Sequence, residues 1–342
     1  MEPQLRAVVF HQGALGDFLM VASAIDGFAE NQCRAGLDFW AKPEYVSLLA
    51  EKSYLGDCYS ADTALAGYLL HESFWRTAAL PDFLLEADRL LIFGQTGSRV
   101  MAERLSARLT ATVSWLRSFP AAGDDPVHVS DFLRRQLDLL GLPAGRKPFR
   151  LIPSDSEKLA AGDLLRELGI HSKPILIHPG SGGRRKVWPL RNWHGLLDWV
   201  GRETSFRVLL SIGPADRYPD AFSRAMTDAG VSVVSGLPLI RLSALLSYCR
   251  LYIGSDSGVS HLAAAVGIPT IAVFGPTDPR VWAPQGKDVM VLRRRWKEED
   301  VLKWAPSDKP DFQDGEIANI ITNWELQAKT CCEGNNLRRQ RR

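Results

Sequence analysis

Short apolar runs, each followed by a polar turn and then a helical period, recur along almost the whole chain. In the first part residues 7–10, 36–40, 89–93 and 111–115 read as strands; in the second, residues 175–178, 207–212, 231–234, 251–254 and 270–274 do so. Between them, residues 18–30, 98–109, 130–140, 190–200, 216–229, 239–248 and 259–266 carry the 3.6-residue period of helices. The strand runs are continuously apolar rather than alternating, the pattern of strands buried on both faces in a parallel sheet covered by helices. The pattern predicts an α/β fold of two doubly wound parallel-sheet units, residues 1–150 and 151–328. They join in the Gly- and Pro-rich stretch that starts at Gly141-Leu142-Pro143 and runs to Pro153.

Open α/β sheets bind ligands beyond the C-terminal ends of their strands, so the turns there are the places to look for chemistry. Three stand out. After the strand at 251–254 comes Ser255-Asp256-Ser257-Gly258, then a small-residue helix ended by Gly267. Its unpaired N–H groups and positive dipole end suit phosphate oxygens. After the first strand comes His11-Gln12-Gly13-Ala14-Leu15-Gly16-Asp17, which is not the GxGxxG dinucleotide pattern. Asp17 reads either as a helix-capping carboxylate or as a catalytic one at the sheet edge. After the PILIH strand comes Pro179-Gly180-Ser181-Gly182-Gly183-Arg184-Arg185-Lys186-Val187-Trp188-Pro189. Such a loop could wrap a diphosphate through its N–H groups, the Ser181 hydroxyl and the Lys186 ammonium, or be a solvated basic loop anchored in the core by Trp188.

These three turns, in this order, resemble the ADP-heptose:lipopolysaccharide heptosyltransferases (glycosyltransferase family 9-like), whose members share a GALGD-like loop, an HPG…KxWP loop and a DSG/DTGxxH turn. The resemblance spans roughly residues 5 to 325. It implies the GT-B architecture: two Rossmann-like domains across a cleft, the first binding mainly the acceptor and the second mainly the nucleotide sugar. It implies inverting, metal-independent transfer of heptose from ADP-L-glycero-D-manno-heptose to a sugar hydroxyl of the lipopolysaccharide inner core, with no cofactor. By the same match, Asp17 is the general base and Lys186 stabilises the departing ADP. Gly180, Ser181, Lys186, Asp216, Asp256, Ser257, Gly258 and His261 form the donor side, and Gly13 and Gly16 shape the acceptor-side loop. Asp256 is expected to orient Lys186 or sugar hydroxyls rather than touch phosphate, and His261 reads equally as a structural histidine. Asp216 stands where relatives often carry a ribose-holding glutamate, one methylene longer. The competing readings are a related GT-B glycosyltransferase with another nucleotide sugar or acceptor, and a non-catalytic nucleotide-binding protein on the same fold.

Composition narrows the partners. The 342 residues are 46% hydrophobic and 23% charged, enough for two cores. Residues 1–150 carry 15 basic and 18 acidic side chains against 26 and 21 in the remainder, a balance too even for a nucleic-acid binder. The one dense cluster, Arg293-Arg294-Arg295-Trp296-Lys297, reads as a salt-bridged loop face or as a patch for the anionic inner-membrane surface. No run is apolar and long enough to span a bilayer, and the polar start Met1-Glu2-Pro3-Gln4 does not read as a signal peptide, so a cytoplasmic protein is expected, with peripheral contact to the inner membrane as the alternative reading of that cluster. Cys33, Cys58, Cys249, Cys331 and Cys332 form neither a metal pattern nor a disulfide framework, and the histidines show no metal-ligand spacing. Residues 329–342, with four arginines, read as a disordered basic tail.

Overall fold

The computed structural model describes residues 5–33, 36–121, 123–143, 149–214, 216, 218–305, 307–310 and 312–323. The first sheet is built from β1 (Ala7–His11), β2 (Leu37–Ala41), β3 (Leu55–Ser60), β4 (Arg89–Gly94) and β5 (Thr112–Arg117), in the order β3-β2-β1-β4-β5. The second contains β6 (Ile175–His178), β7 (Val208–Ile212), β8 (Ser232–Ser235), β9 (Leu251–Ser255), β10 (Thr270–Phe274) and β11 (Val289–Arg293), in the order β11-β10-β9-β6-β7-β8. Every pairing is parallel. β1, β6, β9 and β10 are buried at every position, as their unbroken apolar runs require.

β3 and β11 are edge strands, partly exposed, and lack the continuous burial of the central strands. Neither is among the strands expected from the apolar pattern. The boundary stretch lies partly outside the described residues, and the tail at 329–342 lies wholly outside them.

Two helix boundaries also differ from expectation. The first helix starts at Leu15 rather than at 18 and runs to Gln32, which places Gly16 and Asp17 inside its first turn. Ala14 cannot cap with its side chain; instead Asp17 accepts a bond from the Ala14 N–H at 3.3 Å, and its charge lies at the positive end of the helix. The helix expected at 216–229 is Asp220–Asp228, opened by Pro219, so Asp216 sits in the loop before it.

The two sheets meet through helices. Helix Leu15–Gln32 packs on helix Gly258–Val266, and Phe18, Val21, Leu262 and Ala263 belong to one apolar cluster that also reaches Phe39 of the first sheet and Tyr252 of the second. Phe18 is fully buried there, a placement that stabilises by about 1.5–3 kcal/mol. Among the described residues no helix is long and apolar enough to cross a membrane.

Candidate active site

Two glycines set the distance between the halves of the site. A side chain on Gly258 would begin 2.7 Å from the Leu15 Cβ and 3.0 Å from the Gly16 nitrogen, and one on Gly16 would begin 3.3 Å from the His261 ring. The N-terminal turns of two helices, one from each sheet, therefore touch through backbone. That contact brings Asp17 into the field of Lys186, which lowers its pKa, and of Asp256, which raises it. The larger influence is burial, which pushes the Asp17 carboxyl above the usual carboxylate range.

Across the seam, Lys186 Nζ lies 3.1 Å from Asp256 Oδ2, and the Thr277 hydroxyl donates to the same oxygen. The Asp256 side chain is 4% exposed and that of Lys186 33%, so the cation faces outward over a carboxylate fixed beneath it. Lys186 ends a single 3-10 turn, Arg184–Lys186, in a loop braced at its start and within the turn. Ser255 donates to the Pro179 carbonyl at 2.6 Å, Ser260 donates to the Ser255 carbonyl at 2.6 Å, and the Trp296 indole N–H donates to the Arg185 carbonyl at 3.0 Å. Trp188 is buried edge-on against Trp193, with ring centroids 5.1 Å apart.

Beside this centre opens a cavity of about 490 Å³. Ser181, Gly213, Asp216, Ser257 and Gly258 line it from the second sheet's loops, and Leu15 and Tyr45 from the first's. Its size and mixed lining suit a nucleotide-sized ligand, and the N-terminus of helix Gly258–Val266 opens onto it.

Residues 103–308 match the family described as glycosyltransferase family 9 (heptosyltransferase). The chain belongs to that family. It is a glycosyltransferase of the heptosyltransferase type. It is 24% identical over 312 residues to Escherichia coli K12 lipopolysaccharide heptosyltransferase 3, covering 85% of each. Its fold is similar to that of E. coli ADP-heptose lps heptosyltransferase II (17% identity, TM-score 0.69, 95% of this chain and 100% of the other). It is also similar to that of E. coli heptosyltransferase WaaC with ADP (16% identity, TM-score 0.60, 94% and 100%). The two-sheet GT-B-type arrangement expected from sequence is thus the observed one.

Several expected site residues of this glycosyltransferase occupy other positions than foreseen. Ser181 donates to the Asp256 carbonyl at 2.6 Å, so its hydroxyl braces the two loops. Asp216 accepts from the Gly213 N–H at 2.7 Å and lies 3.9 Å from His178 Nδ1, with its side chain 4% exposed. It forms the cavity floor over Gly180, whose α-carbon leaves no room for a side chain beneath the carboxylate. His178 is kept neutral because burial lowers its pKa, with Asp216 opposing that effect. His261 does not line this cavity. Its ring lies behind Gly16 and faces a second one, and burial pushes its pKa down to about 4, so it is neutral there. Gly13 packs under Asp17, its α-carbon facing the Asp17 Oδ2 and the His11 ring.

In the 293–297 cluster, Arg294 is turned onto Asp314 and Glu316 and Trp296 onto Arg185, which matches a salt-bridged face more than a membrane patch. Sequence reasoning missed Tyr45, Thr277 and Trp296. Thr277 could have been found, since its GPTDP loop follows a buried strand at the same sheet edge as Asp256. Tyr45 and Trp296 carry no local signal. Among the described residues no three His, Cys, Asp or Glu side chains converge as a metal site.

Proposed function

We propose that this family 9 enzyme moves heptose from an ADP-linked heptose donor to a sugar hydroxyl of the lipopolysaccharide inner core, with inversion. The observation that carries this reading is the Gly16–Gly258 contact, which sets a partly buried carboxylate on one domain against a lysine and a helix N-terminus on the other. The similarity to a lipopolysaccharide heptosyltransferase 3 and to a heptosyltransferase with ADP supports the donor and acceptor classes.

In this mechanism Asp17 takes the proton of the acceptor hydroxyl as its oxygen attacks the anomeric carbon in line with the departing ADP. General-base assistance of this kind contributes on the order of 10² to 10⁴ in rate. Negative charge growing on the ADP is met by Lys186 and by the first-turn N–H groups after Ser257. The raised Asp17 pKa makes it a stronger base than an exposed carboxylate. The reading divides the labour at the 141–153 boundary, with acceptor on the first unit and donor on the second. Asp216, Gly180 and Ser181 then serve the donor by shaping the cavity, and Gly13 by seating Asp17.

The same cavity would serve another nucleotide sugar if the base and ribose contacts differ. A thermal-shift screen of ADP-, UDP- and GDP-linked donors separates the two. At a hundredfold excess over Kd the true donor stabilises by about 2.7 kcal/mol. Stabilisation by a UDP or GDP sugar and none by the ADP sugar would replace the ADP-heptose reading with the other.

A further inference from the structure

A second cavity, of about 580 Å³, lies between the same two domains on the other side of His261. Its apolar walls include Leu19, Met20 and Phe149 from one side and Val289 from the other. Its charged lining residues are both cations, Arg134 on helix Val129–Leu139 of the first domain and Lys287 on the loop before β11 of the second. None of the lining residues is acidic. The Arg134 side chain is only 18% exposed; it donates to Asp131 at 3.0 Å and to Ser23, which also lines the cavity, at 3.4 Å.

The rim is fixed across the domains as well. His128 bonds the Ala283 carbonyl through Nε2 at 2.9 Å, while its Nδ1 accepts from the Ser130 N–H at 3.2 Å and from Gln285 at 3.1 Å. A neutral imidazole with its proton on Nε2 satisfies all three contacts, and burial lowers this histidine's pKa, favouring that form.

We infer that this cavity is an anion site bridging the two domains, which takes a phosphate or carboxylate group carried on a small organic body. Arg134, held in place by Asp131 and Ser23, supplies a fixed positive charge and Lys287 an exposed ammonium, while Ser23 and Gln285 add neutral polar groups. The apolar walls take the body that carries the charge. A ligand held by one cation from each domain fixes their relative position, and His261, which faces the cavity, also packs on Gly16 beside Asp17. The site is distinct from the Lys186 centre, so it stands whatever nucleotide that centre takes.

The test is isothermal titration of inorganic phosphate into the full chain and three variants. Saturable binding is expected in the unaltered chain and in Lys186→Ala. In Arg134→Gln and Lys287→Ala the Kd should rise about tenfold or more, the loss of one charge-assisted contact. Lys287 is exposed, so its variant tests the site even if the Arg134 variant folds poorly. Absence of saturable binding, or binding that only Lys186→Ala weakens, would overturn the inference. A transfer assay then separates the sources: phosphate that competes with the acceptor marks the anion as the acceptor's own group, whereas phosphate that alters kcat at unchanged acceptor KM marks it as a free effector.

Discussion

Replacing Gly258 by alanine perturbs the seam with a single methyl group. The new carbon would start 2.7 Å from Leu15 Cβ, 3.0 Å from Leu15 Cγ and 3.0 Å from the Gly16 nitrogen. Carbon atoms rest about 3.5–4.0 Å apart, so the two helix N-termini must separate by about 1 Å. Backbone on one side and a β-carbon on the other cannot rotate away. Overpacking of this kind costs about 1–3 kcal/mol of stability. A displacement of about 1 Å between base and leaving-group centre costs roughly 10²-fold in turnover. Lys186, Asp256 and the first-turn N–H groups all belong to the second domain and move together, so ADP affinity should change by less than about tenfold. The assays are kcat with the heptosyl donor, ADP titration and thermal unfolding. Gly67→Ala is the control: it lies in helix Ala64–Leu70 with nothing within 4 Å of the added carbon. It should gain about 0.5–1 kcal/mol and keep full activity. Wild-type turnover in Gly258→Ala would refute the claim that this contact sets the catalytic geometry.

Asp17→Asn should lower turnover by about 10² or more while leaving ADP binding nearly unchanged. It should also make the protein more stable at neutral pH, because a carboxyl raised by burial binds its proton more tightly folded than unfolded and so costs stability as pH rises through that window. A less stable variant in chemical denaturation would assign Asp17 to capping. For the same reason the acid limb of kcat/KM should fall above the ordinary aspartate range; a limb at the ordinary value would remove Asp17 as the base. Lys186→Ala removes the outward cation and leaves Asp256 buried without its ion pair, so donor affinity and turnover should both fall, by a combined loss on the order of 2 to 4 kcal/mol; unchanged kcat/KM would exclude the role. Transfer should survive exhaustive EDTA, and activity lost to chelation and restored by Mg²⁺ would overturn the metal-independent scheme.

The buried strands and the three turns were legible because each rests on local chemistry. An unbroken apolar run such as that of β9 has one stable home, the inside of a parallel sheet, and a Ser-Asp-Ser-Gly turn before a small-residue helix has one ready geometry. The edge strands β3 and β11 were hidden because their burial is set by neighbours rather than by their own sequence. What Ser181 and Asp216 do was hidden for a different reason. Residue type supplies a donor or a carboxylate, but the partner is chosen by distance in three dimensions: the nearest acceptor to Ser181 is a carbonyl 75 residues away, and the Gly213 N–H reaches Asp216 first. Trp296 belongs with these, since it matters only through a loop folded against it.

The charges at the seam explain why each half needs the other. Each helix N-terminus carries about half a positive charge, and two of them abut at Gly16 and Gly258, with Lys186 beside them. Left alone, that concentration of positive potential would push the domains apart. Two carboxylates offset it, and they do so unequally. Asp256 is paired directly with Lys186 and bonded by Thr277, so its charge is committed. Asp17 has the weaker 3.3 Å bond to its own helix end and loses hydration at the interface, which holds its proton affinity high. In the proposed mechanism the committed carboxylate orients the lysine and the less satisfied one takes the proton. Protonating Asp17 during transfer would return positive potential to the seam just as the departing diphosphate brings negative charge to it, so the proton transfer and the departure favour one another electrostatically.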